Sequence, residues 1–168
     1  MLKIGVAGCG KIAQVRHIPE YAANENCTLT GYFSPNSSRA EDMAAKYGGK
    51  VYASAEELFA SDVEAVSICA ANYAHAELTI KALEAGKHVL CEKPMAVTLA
   101  ECEAMMAAAE KSGKRLMIAQ NQRLAKAHVK AKELLEQGEI GRVISFATSF
   151  GHGGPETWSI SPGKDTWF

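Results

Sequence analysis

Short apolar runs alternate with segments of helical spacing along most of this 168-residue chain. The apolar runs occupy residues 2–7, 28–33, 63–69, 88–91 and 115–119. Strands that are apolar throughout are buried on both faces, so they belong in a parallel sheet with helices on both sides. Because crossover connections between parallel strands are right-handed, a doubly wound α/β sheet is the simplest architecture. We therefore predict a doubly wound parallel-sheet α/β fold.

The segments between these runs carry helix start and stop signals. Ser54 with Glu57 and Thr98 with Glu101 have the spacing of capping boxes, and Gly48 is placed to end a helix. These signals and the apolar spacing predict helices over residues 10–24, 37–47, 54–59, 74–85 and 98–113.

Composition excludes several classes of protein. Hydrophobic residues make up 48% of the chain, enough for a packed core, and the net charge of −1 offers no basic excess for nucleic acid or anionic membranes. No stretch approaches the roughly 18 apolar residues that a membrane span needs. The five cysteines include no C-x-x-C pair, so we expect reduced thiols, no metal site and a cytoplasmic location.

A glycine-rich turn follows the first apolar run. Residues 8–13 read G-x-G-x-x-A, with Gly8 and Gly10 as the glycines. In a strand–turn–helix setting, the first glycine permits the tight turn and the second lets a pyrophosphate approach the backbone at the helix N-terminus. The motif predicts a Rossmann domain that binds a dinucleotide, with Gly8, Gly10, Lys11 and Ile12 next to the phosphates.

The end of the second apolar run bears on the choice of cofactor. Domains that prefer NAD usually carry an acidic residue there, but this chain has Ser34 and no carboxylate before Glu41. Ser34 and Ser37 could donate hydrogen bonds to a ribose 2′-phosphate, and Arg39 could neutralise it. We predict that NADP(H) is preferred over NAD(H). The alternative is that Arg39 stacks on adenine and does not discriminate between the cofactors.

Two further strand ends carry candidate site residues. Lys93 follows the run at 88–91, between Glu92 and Pro94, where a ligand of such a sheet would lie. A lysine there can hydrogen-bond a substrate oxygen and stabilise developing negative charge, so we predict Lys93 as the catalytic residue. The alternative is an ordinary surface lysine. His75 could contact the cofactor loop or serve a structural role.

Four stretches together resemble one known family, the Gfo/Idh/MocA oxidoreductases. They are GVAGCGKIA at 5–13 with His17 downstream, the Asn72-Tyr73-x-His75 element, ALEAGKHVLCEKPMA at 82–96, and Asn121-Gln122-Arg123. The resemblance covers nearly the whole chain. It implies an N-terminal Rossmann domain joined to a C-terminal α/β domain, and hydride transfer between nicotinamide and a sugar, polyol or related compound.

The resemblance also assigns roles to residues. It implies Lys93 at the reacting oxygen, and cofactor contacts from the following positions: Ala70, Ala71, Asn72, His75, Glu92, Pro94, Asn121, Arg123 and Trp167. Ala71 departs from the family pattern, since many members have proline there. The family's catalytic histidine belongs to a D-x-x-x-H element that these residues do not contain.

From about residue 124 the pattern changes. Residues 127–137 have helical spacing, Gly138 and Gly141 bracket a turn, and residues 142–150 alternate like a half-exposed strand. We expect a dinucleotide-binding domain over 1–123 and the first part of a substrate or oligomerisation domain over 124–168.

The function predicted from sequence is an NAD(P)-dependent oxidoreductase, with this chain as its cofactor-binding portion and with little turnover of its own. A small-molecule substrate and a homo-oligomeric full-length protein are expected, whereas the sequence does not identify the substrate. The alternative is a non-catalytic NAD(P)-binding module that senses redox state and needs no chemistry from Lys93. A glycine loop that binds another adenine-bearing ligand would leave the Glu92-Lys93-Pro94 segment without a role.

Overall fold

The structure is a computed structural model that describes residues 1–151. Within them, one sheet of six parallel strands has the order β3-β2-β1-β4-β5-β6. The strands are β1 Leu2–Ala7, β2 Cys27–Phe33, β3 Lys50–Val51, β4 Ala65–Ile68, β5 His88–Cys91 and β6 Leu116–Ile118. The helices are α1 Ile18–Ala22, α2 Ser37–Tyr47, α3 Ala55–Ala60, α4 His75–Glu84, α5 Leu99–Ser112 and α6 Lys126–Glu136. The predicted doubly wound parallel sheet is confirmed.

The core lies on both faces of this sheet. Consecutive residues of β1 point to opposite sides, so Val6 and Ala7 are both fully buried but belong to two separate apolar clusters. One cluster contains residues of α3, α4 and α5, and the other contains residues of α1 and α2. Burial on both faces explains why the strands are apolar at nearly every position.

The predicted helix signals act as expected. The Ser54 hydroxyl accepts a hydrogen bond from the Glu57 N–H at 3.1 Å, and Thr98 and Glu101 form a reciprocal capping box. Gly48 ends α2 with φ +76°, in the left-handed half of backbone space that glycine adopts most readily. The connections on the sheet are therefore short and well defined.

Three details differ from the sequence prediction. The edge strand β3 was not predicted, because its two residues are too few to show a pattern. The predicted helix over 10–24 contains a π-helical turn, Ala13–His17, just before α1. The predicted strand at 142–150 is wrong: these residues are exposed and adopt no strand conformation. A strand needs a partner for its backbone hydrogen bonds, and none of the described residues lies alongside this segment as one.

Among residues 1–151, no helix is both long enough and apolar enough to cross a membrane. The same residues contain no cluster of three or more histidine, cysteine or acidic side chains that could hold a metal ion.

Candidate cofactor site

The first glycine of the loop passes directly over the end of β4. Gly8 has φ +97°, and its N–H donates to the Phe33 carbonyl at 2.8 Å. A Cβ built on Gly8 would lie 2.6 Å from the backbone N of Ala70 and from the carbonyl carbon of Cys69. Both the conformation and the space therefore require glycine at this position.

The second glycine faces open space. A Cβ built on Gly10 would meet no atom within 4 Å. The Gly10 carbonyl accepts the Gln14 N–H at 3.1 Å, and the Gln14 side-chain amide donates to the Cys9 carbonyl at 2.9 Å. The loop is thus fixed by its own hydrogen bonds, while the backbone at Gly10 remains accessible to a ligand.

A cleft of about 440 Å³ extends from this loop across the carboxyl ends of the sheet. Its walls come from the loops after β1, β2, β4 and β5, where a ligand of a doubly wound sheet binds. Twelve residues predicted from sequence line it: Gly8, Gly10, Lys11, Ile12, Ser34, Arg39, Ala70, Ala71, Asn72, His75, Glu92 and Lys93. The cleft also includes residues that sequence reasoning did not select: Cys9, Val15, Pro35, Asn36 and Cys69.

One end of the cleft is formed by the β2–α2 connection. Ser34 follows β2, and Arg39 lies partly buried in the first turn of α2, which contains no acidic residue. Burial raises the pKa of the neighbouring Cys9 thiol to about 12, against an opposing effect of the Arg39 charge. The thiol is therefore neutral at physiological pH, and the cationic character of this end comes from the arginine.

The opposite end is formed by the loops after β4 and β5. The Asn72 side-chain oxygen is buried and has no hydrogen-bond partner among residues 1–151. His75 is buried, and its two ring nitrogens lie 2.7 Å from the Pro94 carbonyl oxygen and 3.1 Å from that of Ala70. His75 thus ties the two loops together, and Asn72 offers an acceptor that lacks a donor.

Lys93 lies at this same end. Its side chain is exposed at the wall of the cleft and makes no hydrogen bond or ion pair within the described part of the chain. An ammonium group is therefore available beside the cleft. The Lys93–Pro94 peptide bond is cis.

Comparison with known proteins identifies the architecture. Residues 2–120 match the family model GFO_IDH_MocA, described as an oxidoreductase family with an NAD-binding Rossmann fold. The chain belongs to the Gfo/Idh/MocA oxidoreductase family. The resemblance inferred from its motifs is confirmed.

Several relatives of this family member are dehydrogenases. The chain is 33% identical over 150 residues to glucose-6-phosphate 3-dehydrogenase of Bacillus subtilis, covering 89% of this chain and 42% of that protein. It is 36% identical over 148 residues to inositol 2-dehydrogenase of Salmonella typhimurium, covering 85% and 44%. The chain spans less than half the length of these relatives.

Solved structures agree with the fold. KijD10, a 3-ketoreductase from Actinomadura kijaniata in complex with NADP and TDP-benzene, matches with a TM-score of 0.76 and 31% identity over 82% of this chain and 42% of that one. WlbA dehydrogenase from Bordetella pertussis, in complex with NADH and UDP-GlcNAcA, matches with a TM-score of 0.80 and 26% identity over 84% and 41%.

The residues present fit a dinucleotide. Open space at Gly10 leaves room for a pyrophosphate. The buried Asn72 oxygen can accept a hydrogen bond from a donor such as a hydroxyl or carboxamide group. These two features lie toward different parts of one continuous cleft. An elongated ligand with a central anionic group satisfies both.

We expect Gly10→Ala to weaken NADPH binding about tenfold or more while changing the free energy of unfolding by less than about 1 kcal/mol. The added methyl group meets no protein atom but occupies the space next to the loop backbone. Titration of NADPH fluorescence together with urea denaturation checks both quantities. Unchanged NADPH affinity would contradict a pyrophosphate at Gly10.

A buried polar network behind Lys93 was not anticipated from the sequence. The Glu92 Oε1 atom lies 2.8 Å from His17 Nε2, and Glu92 Oε2 accepts the Lys93 N–H at 3.0 Å. The other ring nitrogen of His17 lies 3.0 Å from the Ser67 hydroxyl, which lies 3.5 Å from the Cys69 sulfur. This chain of contacts joins three elements: the π-helical turn, β4 and the loop after β5.

Both charges of the His17–Glu92 pair are stabilised. Burial disfavours a charged imidazole, but the nearby Cys69 sulfur and the Glu92 carboxylate outweigh it and raise the pKa of His17 to about 10. Burial also disfavours the carboxylate, yet the hydrogen bonds from His17 and the Lys93 N–H hold the pKa of Glu92 below its usual value. Both shifts favour the ion pair over the neutral pair.

The remaining predicted contacts do not line the cleft. Ser37 begins α2, Pro94 follows Lys93, and Asn121 and Arg123 lie in a 3₁₀ turn after β6. Their roles as cofactor ligands stay predictions. Trp167 lies outside the described residues.

Proposed function

We propose that this protein is an NAD(P)-dependent oxidoreductase that transfers hydride between nicotinamide and a carbinol carbon of a sugar, polyol or related compound. The observation that carries the proposal is one cleft that joins a dinucleotide-type glycine loop to the available ammonium group of Lys93. Relatives named as sugar and inositol dehydrogenases support this substrate class. This chain supplies the cofactor-binding portion.

The two ends of the cleft would bind different parts of the dinucleotide. A pyrophosphate bound at Gly10 would have the β2–α2 connection on one side and the loops after β4 and β5 on the other. Adenosine then lies toward Ser34 and Arg39, and nicotinamide lies toward Asn72 and Lys93. This orientation brings the reacting end of the cofactor to the only part of the described cleft wall where an ammonium group neighbours a buried ion pair.

The chain's own chemical contribution is electrostatic. A bound nicotinamide would supply the hydride chemistry. In the reduction direction, Lys93 would hydrogen-bond the carbonyl oxygen, stabilise the negative charge that develops there as the carbon gains hydride, and donate the proton that completes the hydroxyl group. In the oxidation direction, its uncharged amine would take up that proton as the carbon loses hydride. Glu92 and His75 hold the loops on either side of Lys93 through their contacts with His17, Ala70 and Pro94.

The cysteines and the composition bear on the location and the partners of the protein. Free cysteines throughout the described part of the chain support a reducing, cytoplasmic environment. We further propose a small-molecule substrate and a homo-oligomeric full-length protein, with no role for nucleic acid.

NADP(H) is the cofactor that the adenosine end favours. Arg39 can pair with a 2′-phosphate, whereas no carboxylate is present in the first turn of α2 to repel it. The complex of KijD10 with NADP supports this preference, whereas the complex of WlbA with NADH leaves NAD(H) as the second candidate.

Arg39→Ala is expected to weaken NADPH binding about tenfold and NADH binding less than about twofold, since only NADPH carries the 2′-phosphate. Lys46→Ala, which removes an exposed cation from the last turn of the same helix, is the matched control and should change neither affinity. Dissociation constants from fluorescence titration of all three proteins provide the measurement.

Three other outcomes are informative. Equal weakening of NADPH and NADH would indicate that Arg39 stacks on adenine and does not select the cofactor. Tighter binding of NADH than of NADPH by the wild-type chain would overturn the preference for NADP(H). Binding of neither would contradict the proposed function itself.

A further inference from the structure

The proposed nicotinamide end of the cleft contains a charged group, the Glu92 carboxylate, that the proposed hydride transfer does not use. Glu92 is only 8% exposed, yet it lines the cleft, and its carboxylate is paired with His17 at 2.8 Å. The His17 and Glu92 side chains are 10% and 11% exposed, so water screens their charges weakly. A change in the charge of this pair would therefore change the electrostatic potential in the cleft and the binding of a charged ligand there.

The two redox states of a nicotinamide differ by one unit of charge. The oxidised ring is a pyridinium cation, whereas the reduced ring is neutral. An unpaired carboxylate beside the ring would attract the oxidised form and leave the affinity for the reduced form almost unchanged. With His17 charged, the carboxylate is neutralised, and Lys93 remains as the net charge of this wall.

We propose that His17 determines the redox-state preference of the bound cofactor by neutralising Glu92 beside the nicotinamide. The inference rests on the proposed function, because it requires a nicotinamide at this end of the cleft. His17 is a positioning and charge-balancing residue and touches neither substrate nor cofactor. Without it, the site would hold the oxidised cofactor too tightly relative to the reduced one and would resist reduction of that cofactor.

The geometry explains why histidine can serve here. The π-helical turn Ala13–His17 widens the helix by one residue and places the ring between β4 and the loop after β5. The ring contacts Glu92 on one nitrogen and the Ser67 hydroxyl on the other, so an imidazolium satisfies both of its N–H groups. Glutamine at this position can still donate to Glu92 but carries no charge.

The test compares dissociation constants for NADP⁺ and NADPH at pH 8, by calorimetry and by fluorescence. In His17→Gln we expect the NADP⁺ affinity relative to NADPH to rise about tenfold, as expected for one partly screened unit charge. In Glu92→Gln the ratio should not rise, because no unpaired carboxylate remains beside the ring. The double variant His17→Gln/Glu92→Gln should return to the wild-type ratio.

This pattern separates charge from shape. A merely structural role for His17 would weaken both cofactors alike and would not be reversed by removing Glu92. Circular dichroism checks that each variant folds. Ser67→Asp offers a second route to the same net charge with His17 retained, and it too should favour NADP⁺.

The outcomes distinguish the two proposals. Failure of the wild-type chain to bind either nucleotide contradicts the proposed function. Binding by the wild type, combined with an unchanged ratio in the folded His17→Gln and Ser67→Asp variants, overturns the role of His17 alone. A shifted ratio that Glu92→Gln reverses supports both.

Discussion

Lys93→Met should lower turnover roughly 10³-fold while leaving the dissociation constant for NADPH within about twofold of wild type. The Lys93 ammonium group lies at the cleft wall and makes no hydrogen bond or ion pair within residues 1–151, so its removal disturbs no packing there. The loss should therefore fall on stabilisation of the substrate oxygen in the transition state. Methionine keeps a similar length and removes only the charge and the proton.

Turnover is measured on the product of the full reading frame, with sugars and polyols as substrates and NADP⁺ reduction followed by absorbance. Lys111→Met is the matched control, because Lys111 is exposed in the last turn of α5, outside the cleft. Lys93→Arg separates two roles: charge alone would restore part of the rate, whereas proton transfer would not be restored. Wild-type turnover in Lys93→Met would show that Lys93 is not the catalytic residue, whereas no turnover by the wild-type protein would favour the redox-sensing module.

Gly8→Ala should lower the free energy of unfolding by about 3 kcal/mol or more, which is a large share of the stability of an ordinary domain. The φ of +97° disfavours any Cβ, and the new methyl group would lie 2.6 Å from the backbone of Cys69 and Ala70. Because those contacts are backbone atoms at the end of β4, relief requires a shift of the sheet edge and not of a side chain.

Urea denaturation followed by circular dichroism measures this loss. Gly10→Ala is the matched control two residues away, where the methyl group has open space and stability should hold. Equal stability of the two variants would show that the Gly8 backbone relaxes. The contrast assigns a structural role to the first glycine of the motif and a ligand-binding role to the second.

Much of the fold could be predicted because its determinants are local. Burial on both faces requires an apolar residue at nearly every strand position. Helix caps are formed by residues three apart in the sequence, such as Thr98 and Glu101. Parallel pairing then places all strand ends on one side. Ser34 and Lys93 follow from this rule, since each comes close after a strand end, whereas the family resemblance implied the cofactor contacts of Ala70 and Glu92.

The predicted strand at 142–150 was wrong because no described strand lies beside this segment. Residues 142–150 alternate in polarity like a strand, but alternation records only which side chains could share a face. Strand formation also needs a neighbour to take the backbone hydrogen bonds. The two residues of β3 show the converse, because pairing with Gly31 and Tyr32 makes a strand without any pattern.

The sequence by itself determined the sheet, its crossovers and the edge at which a ligand binds, because these depend on periodicity and on residues close in the chain. Only the tertiary structure decided how charge is arranged inside the cleft. His17 and Glu92 are 75 residues apart, and a π-helical turn brings their side chains to 2.8 Å. No local pattern encodes such a contact, since burial and pairing arise only when distant segments pack together.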